Sequence, residues 1–358
     1  MWCFAELLGI DPLDSVGLGE GDTPLLDAAS SQLSGKRGPR VSFKAEHQNP
    51  TGSFKDRIAA MASAIIARDQ LVGAVGTSSG NGGAAMAAYG ARAGFPVILF
   101  TVAGIVDGKL QQIVAHGAGT NIVAELGSAF GGVEEVSEAI AAMAADHGWL
   151  AFLTGARYAP EAMRGAETIA FELIEQRPTA TAVYVPIGGG GLLASIWRGY
   201  RRMSSDRRLP RLVGVQPAGC PTLNRALAGM LDALDRPLTT TISGLQVPVL
   251  FDFDATTAIT DSGGHVVEVT DEQAWDAQRL LARHEGLFVE PAGATALAGA
   301  LADLEANRVG AGDDVVVVLS GAGLKDAASA ARIGEDNAPR HINADDIGTV
   351  LAAYEASS

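Results

Sequence analysis

The sequence predicts an α/β protein of two three-layer αβα domains with parallel-rich twisted sheets. Short β-branched runs alternate with Ala-rich stretches of helical length, and glycines stand where those helices should stop. Three of the apolar runs lead directly into Gly- or Ser-rich turns, the pattern expected at the carboxyl ends of parallel strands.

Taken in order, Val72–Gly76, Val97–Thr101, Asn121–Ala124 and Trp149–Leu153 read as buried parallel strands. Helices are expected between them at Asn81–Gly94, Gly108–Gly117 and Val133–Gly148, each closed by its last glycine. A second series follows, with strands at Ala182–Ile187, Leu212–Gln216, Val266–Val269 and Val315–Leu319. Its helices are expected at Arg164–Gln176, Gly191–Met203, Asp271–His284 and Gly293–Asn307, with Thr270 and Gln273 forming a capping box. Pro160 reads as the return point between two sheets. Asp206–Leu209 and Asp235–Thr241 read as surface loops, and Thr349–Ala356 as a last helix. The expected division is a larger domain of residues 1–57 and 164–358 and a smaller one of residues 58–163, with ligands in the cleft between their strand ends.

The 358 residues suffice for two domains and a large core, and a composition 47% hydrophobic and 19% charged is that of a globular protein. A net charge of −15 argues against nucleic acid or an anionic membrane as partner. The two cysteines, Cys3 and Cys220, form no CxxC pair and no disulfide framework. No signal peptide is read at the N-terminus, and runs such as Val315–Leu319 are too short to span a bilayer, so the cytoplasm is the expected location. The six histidines do not cluster, and neither HExxH nor a Gly-x-Ser-x-Gly elbow with plausible partners occurs, so metal hydrolysis and triad acyl transfer have no support.

Chemistry concentrates in a few segments. Lys55 lies in Asn49-Pro50-Thr51-Gly52-Ser53-Phe54-Lys55-Asp56-Arg57, at a loop-to-helix entry that fixes its side chain. A lysine amine can condense with an aldehyde and later carry a proton. Gly188-Gly189-Gly190-Gly191 separates an apolar run from the helix opening at Leu192. Such a loop either cradles a phosphate with its backbone N–H groups or serves as a plain tight turn. It does not match GxGxxG, because Leu193 stands where the third glycine belongs, which argues against a dinucleotide oxidoreductase. Ser78, Ser79, Gly80 and Asn81 open a helix, where they either hold a substrate carboxylate or simply cap it. Ser320 ends a strand and either faces a ring nitrogen or completes a turn. Glu290 supports the cofactor pocket or a cation site, or complements a helix dipole. A lysine, a polar loop, a glycine loop and a late serine together read as a site for pyridoxal phosphate.

These residues resemble the tryptophan-synthase-β-like superfamily of pyridoxal-phosphate enzymes, fold type II, and within it most closely the threonine synthases. The resemblance rests on Gly19-Glu20-Gly21-Asp22-Thr23-Pro24-Leu25, Pro50–Arg57, Gly108-Lys109-Leu110 and Gly323-Leu324-Lys325-Asp326, and runs from about Gly17 to Ala331. It implies that Lys55 holds the cofactor as a Schiff base and shuttles protons, with Phe54 supporting the ring pocket. It implies that Asn81 bonds the cofactor's phenolic oxygen, and that Ser78 and Ser79, with Gly80 and Asn81, take the substrate carboxylate. Gly188–Gly191 with Leu192 would bind the phosphate, and Ser320 would face the pyridine nitrogen. A homodimer acting on a small amino-acid substrate is implied too.

The implied reaction turns O-phospho-L-homoserine and water into L-threonine and phosphate. Two alternatives stay open. One is a serine/threonine dehydratase, an enzyme with an all-glycine phosphate loop like this one and with Ser or Cys at the position of Ser320. The other is a β-replacement enzyme. Arg157 and Arg164 are candidates for an additional anion site or for plain surface charges. A binding protein that keeps the fold without the chemistry is disfavoured by the intact Lys55 and Asn81.

Overall fold

The computed structural model describes the chain except residues 32, 34–37, 79, 124–132, 204–207, 231–236, 338, 340 and 356–358. Ser79, Ala124, Asp206, Asp235 and Ala356, each part of an expectation above, lie outside the described residues.

The chain enters through a short antiparallel pair, β1 (Leu25–Asp27) and β2 (Arg40–Lys44). It then builds a parallel sheet from β3 (Ala74–Ser78), β4 (Val97–Val102), β5 (Gly119–Val123) and β6 (Leu150–Ala151), in the order β5-β4-β3-β6. It returns through β7 (Ala182–Pro186), β8 (Arg211–Pro217), β9 (His265–Val269) and β10 (Asp314–Val318). These four join the entry pair in a second sheet, ordered β1-β2-β10-β7-β8-β9, in which only the β1–β2 pairing is antiparallel. All five residues of β7 and Val315–Val318 of β10 are buried. A strand covered by helices on both faces must be apolar throughout, which is why these runs were readable without any alternation.

Helix ends follow local chemistry. Gly94, Gly117 and Gly148 adopt φ of 83°, 80° and 68° where the three helices of the smaller sheet stop. At the start of helix Asp271–Leu280, Thr270 Oγ1 accepts from the Gln273 N–H at 3.2 Å while Gln273 Oε1 accepts from the Thr270 N–H at 2.8 Å, completing the capping box. The expected helix from Arg164 starts four residues earlier, giving Pro160–Gln176. Proline at the first turn gives up an N–H that would find no helical partner there. The α-helix from Asp271 ends at Leu280 and continues as one π-helical turn, Leu281–Glu285, closed by Gly286 at φ 68°. Strand β3 begins two residues later than expected, which makes Ser78 its last residue.

Helix Lys55–Asp69 sits between the two sheets and is buried from Asp56 to Ile66. Its first turn is anchored by a charged cluster with almost no access to solvent. Arg57 donates to both oxygens of Glu46, at 2.8 and 2.7 Å, and to both oxygens of Glu172, at 2.5 and 2.7 Å. Lys44 at the end of β2 donates to Glu172 at 2.5 Å and to the Thr23 carbonyl at 2.8 Å. Buried charges persist only when fully paired, and this pairing ties the lysine-bearing turn to helix Pro160–Gln176 and to the end of β2.

Candidate active site

Between the strand ends of the two sheets lies a cavity with about 190 Å³ open to the centres of water-sized molecules. One wall comes from Ser78 at the end of β3 and Asn81 just after it, the other from the turn after β7, the segment 244–248 and Ser320 after β10. Lys55, at the start of its helix, lies between them with its amine 4.7 Å from the centroid of the Phe54 ring. No described residue hydrogen-bonds or ion-pairs with that amine, and burial alone lowers it from 10.5 to about 7. A lysine held near neutral and unpaired is poised for condensation with a carbonyl. The neighbouring Asp56 carboxyl accepts from the Thr51 N–H and Oγ1, and burial still pushes it up to about 7.

The turn Gly188–Gly191 leads from β7 into helix Gly191–Met203. Gly190 adopts φ 85°, and a Cβ there would lie 2.8 Å from Leu250 Cδ1 and 3.0 Å from the Asp252 carbonyl oxygen. The Gly189 carbonyl is turned away from the cavity's needs, accepting from the Phe251 N–H at 2.9 Å. The N–H groups of Gly189, Gly190 and Gly191 find no partner among the described residues. Free amide protons at the positive end of a helix make an anion cradle.

Ser78 Oγ accepts from the N–H groups of Gly80 and Gly83 at 3.0 and 2.7 Å, so it caps helix Asn81–Ala93 and lines the cavity at once. Its hydroxyl proton remains available to a ligand. Asn81 donates from Nδ2 to Glu290 Oε1 at 2.5 Å, while its Oδ1 is buried without a partner. Ser320 lines the cavity, and its carbonyl accepts from the Phe54 N–H at 3.1 Å. Of the expected residues, Phe54, Lys55, Ser78, Asn81, Gly188–Leu192, Glu290 and Ser320 come together here, whereas Gly80 has no place in the lining. Arg157 pairs with Glu134 and Glu138, and Arg164 donates to the Leu7 carbonyl at 2.8 Å, and neither lines the cavity.

A family model for pyridoxal-phosphate dependent enzymes matches residues 16–321. The chain belongs to that family. Threonine synthase of Mycobacterium leprae is 35% identical over 322 residues, 88% of this chain and 85% of that protein. Threonine synthase of Methanocaldococcus jannaschii is 34% identical over 354 residues, covering 94% of this chain and 83% of the other. Among solved structures, the processed form of threonine deaminase isoform 2 from Solanum lycopersicum superposes with a TM-score of 0.73 at 21% identity, over 94% of this chain and 92% of that one. The fold is therefore that of fold type II pyridoxal-phosphate enzymes, and this is a pyridoxal-phosphate-dependent enzyme.

The residues present fit that cofactor. The unpartnered N–H groups of the glycine turn suit its phosphate, the unpaired amine of Lys55 its aldehyde, and Asn81 Nδ2, which gives one N–H to Glu290, has a second to offer its phenolic oxygen. Other parts of the lining were not among the site residues expected from sequence, Tyr158 and the segment 244–248 among them. Tyr158 packs edge-on against Phe251 with centroids 6.1 Å apart and leaves its hydroxyl buried without a partner. The segment 244–248 carries no catalytic residue type at recognisable spacing, so only folding reveals it.

Proposed function

We propose that this enzyme is a lyase of the threonine synthase type, converting O-phospho-L-homoserine and water to L-threonine and phosphate. The support is the likeness to threonine synthases at 35% identity across 88% of the chain, joined to a near-neutral Lys55 at the cavity's centre. The bound cofactor supplies an electron sink for charge developing at the substrate Cα. Gly188–Leu192 would hold its phosphate, Phe54 would back its ring, Asn81 would donate toward its phenolic oxygen and Ser320 would face its pyridine nitrogen. Ser78, with the start of helix Asn81–Ala93, orients the substrate carboxylate. Lys55 would act as the proton carrier, taking the Cα proton and delivering it at a neighbouring carbon. An amine near pKa 7 is suited to both directions of transfer at neutral pH.

A second reading is favoured by one observation. Among the described residues lining the cavity, Lys55 is the one lysine or arginine. A γ-phosphate brings a second dianion, which sites ordinarily meet with Arg or Lys. An uncharged substrate such as serine or threonine needs no such partner, and a dehydratase acting on it releases ammonia and a 2-oxo acid. One assay separates the two. Phosphate and threonine appearing together from O-phospho-L-homoserine support the first reading. Ammonia and a 2-oxo acid from threonine or serine, without turnover of the phosphate ester, replace it with the second.

A further inference from the structure

Glu290 and Lys109 form an ion pair at 2.9 Å, with side chains 2% and 1% exposed. They come from the two different sheets: Lys109 from helix Asp107–Ala115 beside the smaller, Glu290 from the residue preceding helix Pro291–Glu305 beside the larger. The backbone is shaped around them. A Cβ on Gly80 would lie 2.3 Å from Lys109 Cδ, and Gly80 sits at φ 142°. A Cβ on Gly321 would lie 2.0 Å from Glu290 Oε1. Each side chain thus fills space that a glycine vacates, one beside the asparagine loop and one beside the serine loop.

The pair has two outward connections. Glu290 Oε1 accepts from Asn81 Nδ2 at 2.5 Å, and Lys109 Nζ donates to Ser243 Oγ at 3.1 Å, next to the segment 244–248 that lines the cavity. A carboxamide can be turned end for end at almost no cost in shape, so something must decide which end faces the cofactor. Turned the other way, Asn81 Oδ1 would face the Glu290 carboxylate, acceptor against acceptor. Lys109 Nζ lies 2.9 Å from the other oxygen of that carboxylate, which holds Oε1 toward Asn81.

Resting on the reading that Asn81 faces the cofactor's phenolic oxygen, we propose that Glu290, held by Lys109, is a positioning residue that locks the Asn81 carboxamide in its donating orientation. One Asn81 N–H is committed to Glu290, and the second is left for the cofactor.

The test is a double-mutant cycle read by titrating the full-length protein with pyridoxal 5′-phosphate and following its visible absorbance. Asn81→Ala is expected to weaken cofactor binding about tenfold, the size of one lost hydrogen bond. Glu290→Met is expected to weaken it by a similar factor, and Asn81→Ala added to Glu290→Met to cost little more. Should the unpaired Lys109 unfold Glu290→Met, the double variant Lys109→Met/Glu290→Met removes both charges at similar volume, and the cycle is run in that background. If Asn81→Ala costs the same factor with and without Glu290, the lock is refuted. If Asn81→Ala leaves cofactor binding unchanged in the parent protein, the role assigned to Asn81 fails instead.

Discussion

Lys55 owes its reactivity to what its surroundings lack. An exposed lysine near 10.5 is almost wholly protonated at neutral pH and cannot attack a carbonyl, whereas burial without a partner brings this one to about 7. The direction of the pH effect follows. Below about 7 the amine holds its proton and loading is slow; above it the amine is free and loading levels off. Stopped-flow absorbance of cofactor-free protein mixed with pyridoxal phosphate should therefore rise through about pH 7 and reach a plateau by pH 9. A rate still climbing steeply at pH 9 would mean an ordinary lysine. Lys55→Ala should abolish the Schiff-base absorbance and lower turnover by at least about 10²–10⁴-fold, the usual weight of a positioned proton carrier. Lys55 was legible in the sequence because its motif is local, spanning nine residues from Asn49 to Arg57. The Glu290–Lys109 pair was not, because 181 positions separate its members; Gly108-Lys109-Leu110 carries only a family likeness, and the sequence around Glu290 fits three roles equally.

Elements hold these residues through two kinds of fastening, with different consequences when broken. The Arg57 cluster is buried, so removing the guanidinium takes the ion-pair partner from Glu46 and leaves Glu172 with Lys44 alone. Arg57→Ala is expected to cost about 3–5 kcal/mol of stability and to release cofactor, as the turn carrying Lys55 loses its anchor. Chemical denaturation and visible absorbance should report both losses in the same variant. The Thr270 capping box is a contrasting case, at a helix end that contributes nothing to the cavity lining. Thr270→Ala should cost about 1 kcal/mol and leave the absorbance spectrum and KM unchanged. A drop in cofactor affinity there would mean that helix Asp271–Leu280 is coupled to the site in a way its contacts do not suggest. Sequence legibility divides along similar lines. Strands β7 and β10 were readable as unbroken apolar runs, and the capping box as a three-residue spacing. Strands β1 and β2 escaped notice: β1 has three residues, none buried, and β2 ends on Lys44, whose burial is possible only because Glu172 and Thr23 meet it from elsewhere. Buried charge paid for by distant partners leaves no periodic trace.

On the scale of the whole molecule, the cavity has walls from two sheets, and the fastenings across it are unevenly placed. One side is bridged by the Lys109–Glu290 pair and by Lys325, whose amine donates to the Thr51 carbonyl and to Gln112 Oε1, both at 2.6 Å. The far side is lined by Ser137 and Val133 of helix Val133–His147, by Tyr158, and by Val247 and Phe251, with no ion pair joining the two walls there among the described residues. If residues 58–163 close on the remainder when an amino acid binds, the bridged side should act as the pivot and the far side should travel. Closure of that kind expels water that would otherwise intercept reactive species. Hydrogen exchange with and without a non-reacting amino-acid analogue should then show new protection in helix Val133–His147 and in residues 244–251. Helix Asp107–Ala115, already fastened through Lys109 and Gln112, should change little. Equal protection at both sides would mean that the two walls approach without a pivot, and no change at either would mean that they are already as close as catalysis requires.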